Sequence, residues 1–325
     1  MGISQIVLPF PMHIPDGFLS VLVAILFWIV SIPILGVALR KTNQSLGERQ
    51  IPLMGVLAAA IFAGQMLNFS VTGGTSGHLL GAALAAILLG PWPAMIVMTT
   101  VVSVQALLFQ DGGILALGAN LFNMAVIGVM VSYTVYTLLT KLLAKRAWGS
   151  MVAGFGAAWC SIFIASLAAA LQLALSGTSP ANIALPAMGA IHALIGIGEG
   201  LITVGALAFL FAARKDLRRS NEEPAGDNKG IVIGGSLIVL ALAALSPLAS
   251  SHPDGLEWVA GQYGFLSSAK EALFKIIPDY SMPGISNSAA ATIAAGILGA
   301  VIVFSLAHVV ARSARHRAVR EDARK

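Results

Sequence analysis

The sequence predicts an all-α integral membrane protein, a polytopic helical bundle of about nine transmembrane helices. Its 325 residues are 57% hydrophobic and only 10% charged, whereas a soluble domain is about 25% charged. Apolar runs near the roughly 20 residues needed to cross a bilayer recur along the chain. The roughly ten-residue alternating pattern of a β-barrel is not visible. The spanning segments are therefore expected to be helices, which satisfy their own backbone hydrogen bonds in lipid.

Nine apolar segments are separated by short polar turns and by one longer polar linker at 214–230. Segment three is short, and the Gly90-Pro91 break after it indicates either a turn between two spans or a kink or re-entrant turn. The predicted spans lie at about 17–39, 51–69, 77–90, 91–110, 113–140, 149–177, 184–213, 231–250 and 288–311.

The basic residues predict the orientation, because cytoplasmic loops of membrane proteins are enriched in Lys and Arg. With the amino terminus outside, 17 of the 19 basic residues fall in cytoplasmic loops and in the basic cytoplasmic tail 312–325. Only Lys270 and Lys275 fall outside. The net charge of +5 is thereby explained without a nucleic-acid partner. We therefore expect a multi-pass protein in the lipid bilayer of the inner or plasma membrane.

Polar side chains within spans are costly and usually mark function. In the predicted orientation they concentrate in the outer halves of the spans, which predicts a polar pocket that opens outward. For the amides the alternative is hydrogen bonding between helices. Glu199 lies seven residues after His192 on the same helix face, and is interpreted as part of a buried structural network or as a coupling residue. The candidate pocket residues are Asn68, Gln105, Asn120, Asn123 and His192.

The run Met12-His13-Ile14-Pro15-Asp16-Gly17 carries the most chemical information. If Met12 began the mature chain, its α-amine, the amide nitrogen of His13 and the His13 imidazole would close adjacent chelate rings on one cation. A fourth nitrogen donor would complete a square plane, which suits Ni²⁺ and Cu²⁺. His78, at the outer end of segment three, is the candidate for that donor.

Residues 1–11 precede this run and would convert the Met12 amine into an amide. They lack the basic start and the long apolar core of a secretory signal. The expectation is therefore that translation begins at Met12 or that the extension is removed.

The run 12–17 resembles the amino terminus of the CbiM/NikM family, the substrate-binding membrane subunits of energy-coupling-factor transporters for cobalt and nickel. The resemblance implies a seven-helix domain at 12–213 in which Met12, His13 and His78 bind Co²⁺ or Ni²⁺. Four further runs carry it: 75–81 (TSGHLLG), 105–113 (QALLFQDGG), 118–124 (GANLFNM) and 192–200 (HALIGIGEG).

The carboxy-terminal part, 231–311, resembles the PDGLE domain, a NikN-like two-helix domain with an external loop. The resemblance rests on the run Pro253-Asp254-Gly255-Leu256-Glu257. His252 precedes this run, as His13 precedes Pro15-Asp16-Gly17 with one residue between. A metal-handling role for His252 and a simple turn with a helix cap both remain open.

The resemblance implies the substrate-specific subunit of a metal importer, with a transmembrane scaffold (T) component and two ATPase subunits as partners. No Walker A pattern G-x-x-x-x-G-K-[ST] occurs in the chain, so ATP hydrolysis is expected of the partners. This chain is expected to have no enzyme activity and no cofactor of its own. A stand-alone secondary transporter or channel is one alternative, although Glu199 is the only carboxylate well inside a span. An intramembrane metal-dependent enzyme is another, although Asp16 is the only acidic residue near His13 in sequence.

Overall fold

The structure is a computed structural model that describes residues 12–47, 50–213 and 229–322. Helices dominate this part of the chain, which confirms the predicted class of helical membrane protein. Its strands form a single hairpin, in which β1 (Phe69–Val71) pairs antiparallel with β2 (Thr75–Gly77). The predicted extension 1–11 and residues 214–228 of the predicted linker lie outside the described residues.

Eleven α-helices follow one another in this part of the chain. Two π-helical stretches interrupt them: Gln105–Phe109 extends α4, and Phe122–Ile127 joins α5 to α6. The helices are α1 (Val21–Ser45), α2 (Gln50–Gln65), α3 (Ala82–Leu89), α4 (Pro91–Val104), α5 (Leu117–Leu121), α6 (Gly128–Leu142), α7 (Gly149–Leu175), α8 (Ala181–Ala213), α9 (Lys229–Leu245), α10 (Gly255–Gln262) and α11 (Ser288–Asp322).

Seven helical stretches among the described residues are long and apolar enough to cross a membrane. They are α1, α4 with its π-helical extension, α5–α6, α7, α8, α9 and α11. Helix α2 is apolar but has only 16 residues. Helix α3 has eight residues, which makes it about 12 Å long against a hydrocarbon core of about 30 Å. The predicted count of nine spans is therefore not confirmed.

The boundaries of the second and third predicted segments differ from the structure. Helix α2 ends at Gln65 rather than at 69, and the β-hairpin follows it. Residues 77–81, predicted as helix, are the end of β2 and an irregular stretch before α3. Gly81 and Gly90, on either side of α3, both have φ near +79°, a positive value that glycine adopts without a steric penalty. Pro91 then begins α4, where its missing N–H has no helical partner to lose.

The carboxy-terminal helices cover the central helix α2. Both α9 and α11 pack on α2, and nearly every residue of α2 is buried. An added Cβ at Gly299 would collide with the Phe62 ring, so the two helices approach closely there. The small residues of α2 therefore pack within this chain. Helix α11 continues to Asp322, into the stretch that was predicted as a separate tail.

Residues 246–287, between α9 and α11, fold back over the end of the bundle at which α1 begins. This 246–287 loop contains α10 and three short 3₁₀ turns. It hydrogen-bonds to the β-hairpin, where the amide of Ser76 donates to the carbonyl of Pro253 at 2.8 Å. The loop thus lies against the same end of the molecule as residues 12–18.

Candidate metal centre

The amino-terminal segment 12–18 lies against α5 and the turn that precedes it. The amide of Ile14 donates to Oδ1 of Asn120 at 3.1 Å, and Nδ2 of Asn120 donates back to the Ile14 carbonyl at 3.1 Å. The carboxylate of Asp16 accepts the amides of Ile114 and Ala116 at 3.1 and 3.0 Å. Buried irregular backbone needs such partners, and they fix His13, which is only 4% exposed.

Three nitrogens of this segment converge on one carboxylate oxygen, Oδ1 of Asp111. The Met12 nitrogen lies 2.8 Å from it, the His13 amide nitrogen 3.3 Å, and Nδ1 of His13 3.5 Å. Nδ1 is also 3.1 Å from the Asp111 carbonyl oxygen. These are the three nitrogens that the sequence predicts as chelating donors. Here they lie around a hydrogen-bond acceptor, so they can bind a cation at this point only after losing their N–H protons.

The second predicted histidine lies beside the first. The ring centres of His13 and His78 are 5.5 Å apart, with the rings nearly perpendicular at 82°. Two imidazoles that bind one cation through nitrogens about 2.0 Å away place their ring centres roughly 4.5–6.3 Å apart. Nδ1 of His78 donates to the Leu79 carbonyl at 3.1 Å, so Nε2 of His78 keeps its lone pair for a ligand.

Glu199 holds the irregular stretch that carries His78. Its carboxyl group accepts the amides of Leu80 at 2.7 Å and Gly81 at 3.0 Å, and its side chain is fully buried. Gln65 donates to the Leu80 carbonyl at 2.8 Å. Irregular backbone inside a membrane protein persists only where its polar groups find partners. Glu199 therefore has the structural role that was one of its two interpretations.

A cavity of about 90 Å³ adjoins the two histidines. Asn123, which lines it, exchanges two hydrogen bonds with Gln172 at 2.8 and 2.7 Å, the pairing between helices that the sequence left open. His192 bonds through Nδ1 to the Met188 carbonyl of its own helix at 2.8 Å. Six predicted site residues line this cavity: Met12, His13, His78, Asn120, Asn123 and His192.

Two predicted pocket residues lie elsewhere. Asn68 lines a neighbouring cavity of about 550 Å³, together with Met12 and Asp111. Gln105 is fully buried and lines neither cavity. Its carbonyl accepts the Asp111 amide at 3.0 Å, so its backbone helps to place Asp111.

Three residues of the site were not predicted from the sequence: Asp111, Asp254 and Tyr280. Asp111 belongs to the run 105–113, so a signal for it was present. Asp254 lines both cavities and caps α10, where its carboxylate accepts the Glu257 amide at 2.7 Å. Burial raises the pKa of Asp254 well above its ordinary value. The hydroxyl of Tyr280 donates to Oδ2 of Asp111 at 2.5 Å. Burial, and then the Asp111 carboxylate, raise the pKa of Tyr280 well above its ordinary value.

Side chains alone do not complete a metal centre in the described part of the chain. No group of three His, Cys, Asp or Glu side chains there is arranged to hold an ion. The His13 and His78 imidazoles lie edge to face, and the other two proposed donors are backbone nitrogens of Met12 and His13. A site at this position would therefore depend on main-chain donors.

Comparison with known proteins identifies the family. Residues 13–217 match the sequence profile of CbiM, described as the cobalt uptake substrate-specific transmembrane region. The chain belongs to the CbiM family. Residues 228–316 match the PDGLE domain. Both resemblances found in the sequence are thereby confirmed, and the chain is a multi-pass membrane protein of a cobalt and nickel transport family.

Relatives cover both parts of the chain. A putative fused nickel transport protein NikMN of Archaeoglobus fulgidus is 38% identical over 94% of this chain and 99% of its own length. The fused nickel transport protein NikMN of Rhodobacter capsulatus is 32% identical over 84% of each chain. A crystal structure of a truncated transition metal transporter is 38% identical, with a TM-score of 0.54, over 62% of this chain and 98% of its own.

Proposed function

We propose that this chain is the substrate-specific membrane subunit of an energy-coupling-factor transporter that imports Co²⁺ or Ni²⁺. In this proposal the α-amine of Met12, the amide nitrogen and imidazole of His13, and the imidazole of His78 bind the ion. The observation that carries the proposal is the convergence of the first three nitrogens on one oxygen of Asp111. The names of the relatives, as nickel and cobalt transport proteins, support the choice of ion.

The incoming ion binds among these nitrogens as they lose their protons, next to the Asp111 carboxylate. Nitrogen donors in a plane suit Ni²⁺, and adjacent chelate rings hold the ion more firmly than separate side chains. A free amine at Met12 is needed, so the form that binds metal begins at Met12. Metal binding releases the protons of the amine, amide and imidazole, which couples affinity to pH.

Import requires energy that this chain does not supply. The sequence carries no Walker A pattern, so two ATPase subunits and a transmembrane scaffold (T) component act as partners. The amino terminus lies outside and the carboxy terminus in the cytoplasm, an orientation supported by the distribution of basic residues. Ions are captured from outside at the metal centre and released inward as the partners bind and hydrolyse ATP.

The decisive experiment compares Ni²⁺ and Co²⁺ affinity in forms of the purified protein that differ at the proposed donors. The form beginning at Met12 should bind tightly and should show the ligand-field absorption of planar Ni²⁺. The form that retains residues 1–11 should bind poorly. His13→Ala removes a chelate ring and should nearly abolish binding, whereas His78→Ala leaves three nitrogens and should weaken binding less.

His308→Ala is the matched control. His308 lies on α11, about 30 Å along the helix from Ser288, and stacks on Phe304. The control should bind as the wild type does. Equal affinity with and without residues 1–11 would exclude the amine as a ligand. Retention of full affinity by His13→Ala would refute the proposed site.

A further inference from the structure

The 246–287 loop contacts both segments that carry the proposed metal ligands. On the His78 side, the hydroxyl of Ser76 donates to the carbonyl of His252 at 2.8 Å. On the His13 side, the amide of Lys270 donates to the carbonyl of Asp16 at 2.7 Å. The amide of Ile277 donates to the carbonyl of Leu108, just before Asp111, at 3.0 Å. The loop therefore contacts three segments that border the proposed metal centre.

Tyr280 makes the most direct of these contacts. Its hydroxyl donates to Oδ2 of Asp111 at 2.5 Å, while Oδ1 of Asp111 faces the donor nitrogens. Its ring stacks on Phe109, with ring centres 4.8 Å apart and an angle of 15°. The side chain is 9% exposed. Tyr280 thus contacts the site through Asp111, and its ring is held by packing on Phe109 and Phe62.

The backbone at this point is in an uncommon conformation. Asp279 and Tyr280 have φ of 54° and 53°, in the left-handed region that non-glycine residues seldom adopt. Such conformations persist when surrounding contacts hold them, and they cluster at functional sites. Here the contacts are the Asp111 hydrogen bond and the Phe109 stack. The turn directs Tyr280 onto Phe109 and Asp111.

We propose that Tyr280 is a positioning residue of the metal centre, which holds the Asp111 carboxylate so that the Met12 and His13 nitrogens converge before the ion arrives. The inference deepens the proposed function and rests on it. It makes the carboxy-terminal domain a structural part of the binding site, through a residue 169 positions away from Asp111 in sequence.

Loss of the Tyr280 hydroxyl should weaken metal binding without removing a ligand. The Asp111 carboxylate keeps its contacts with the nitrogens but loses the bond that fixes its other oxygen. The segment 12–13 then samples more conformations, and binding must order it at a cost in affinity. Hydrogen bonds to charged groups are among the stronger ones, so a loss of about tenfold in Ni²⁺ affinity is expected.

The test uses Tyr280→Phe in the full chain beginning at Met12, because phenylalanine keeps the ring that stacks on Phe109. The control is Tyr263→Phe in the same loop, where the side chain is 51% exposed. Ni²⁺ affinity, the rate of Ni²⁺ dissociation, the ligand-field spectrum and the thermal unfolding midpoint are measured for both. Tyr280→Phe should bind about tenfold more weakly, release Ni²⁺ faster and broaden the spectrum. The control should match the wild type.

Unchanged affinity and spectrum in Tyr280→Phe would overturn the inference. A loss of affinity that comes with an unchanged spectrum and a large fall in the thermal unfolding midpoint would also overturn it. That result is what a merely structural role of Tyr280 predicts. In an Asp111→Ala background, which removes both carboxylate oxygens, the Tyr280→Phe change should add little, and an undiminished loss there would show that Tyr280 acts by another route. The His13→Ala variant separates the two hypotheses. If wild type and His13→Ala bind alike, the proposed site fails and the inference falls with it.

Discussion

Glu199 holds the stretch of backbone that carries His78. Replacing Glu199 therefore tests whether that stretch must be held in place for metal binding, without changing a proposed ligand. Its two carboxyl oxygens accept the amides of Leu80 and Gly81 at 2.7 and 3.0 Å. Glu199→Gln keeps one acceptor oxygen and places an NH₂ group opposite the other amide. One buried N–H is then left without an acceptor, which costs about 1–3 kcal/mol. A mid-range value of about 2 kcal/mol corresponds to roughly 30-fold in an equilibrium constant.

That cost falls on the stretch 78–81, so it should appear as lower metal affinity. The cost lowers affinity only as far as it shifts the 78–81 stretch away from its binding conformation. Titration calorimetry with Ni²⁺ on the purified form beginning at Met12 should therefore show binding weaker by up to roughly 30-fold for Glu199→Gln. Thr203→Val is the control. Thr203 lies one helical turn further along α8, is 1% exposed, and its hydroxyl has no partner among the described residues. Affinity of Glu199→Gln within about twofold of both wild type and control would refute the idea that Glu199 positions His78.

Four further predictions follow from the site and from the proposed cycle. Ni²⁺ affinity should fall as pH is lowered from about 7.5 to 5.5, because protons compete for the nitrogen donors; an affinity independent of pH would exclude such donors. Asn123→Ala should destabilise the protein by about 1–3 kcal/mol, because it leaves the Gln172 amide without partners. Replacing both residues by Leu should lower the thermal unfolding midpoint less than Asn123→Ala does. An equal fall in the midpoint for the two variants would contradict the pairing. A reporter fused after Lys325 should be active only in the cytoplasm, and activity outside the cell would reverse the proposed orientation. Metal uptake by cells should stop when the partner ATPase subunits carry inactive Walker motifs, and undiminished uptake would favour the stand-alone secondary transporter.

The sequence by itself determined the class of the protein and the chemistry of its amino terminus. Low charge and repeated apolar runs require helices, because lipid offers no partner for an unpaired backbone group. The Met-His-x-Pro run predicted three nitrogens close together, since adjacent atoms along a chain need no fold to bring them near. His78, His192 and the two asparagines were found because polar groups in an apolar span are rare.

Only the tertiary structure decided what holds these groups in place. The bonds to Asp111 from Met12 and Tyr280 join positions 99 and 169 residues apart, and the bond from Leu80 to Glu199 joins positions 119 apart. No local sequence pattern predicts such pairs, because the secondary-structure preference of each residue depends on its neighbours in sequence and not on the residue it meets in the fold. The same reason explains the missed break before α3. Residues 77–81 contain two leucines that fit an apolar span, and the stretch is irregular where Glu199 of α8 accepts the amides of Leu80 and Gly81.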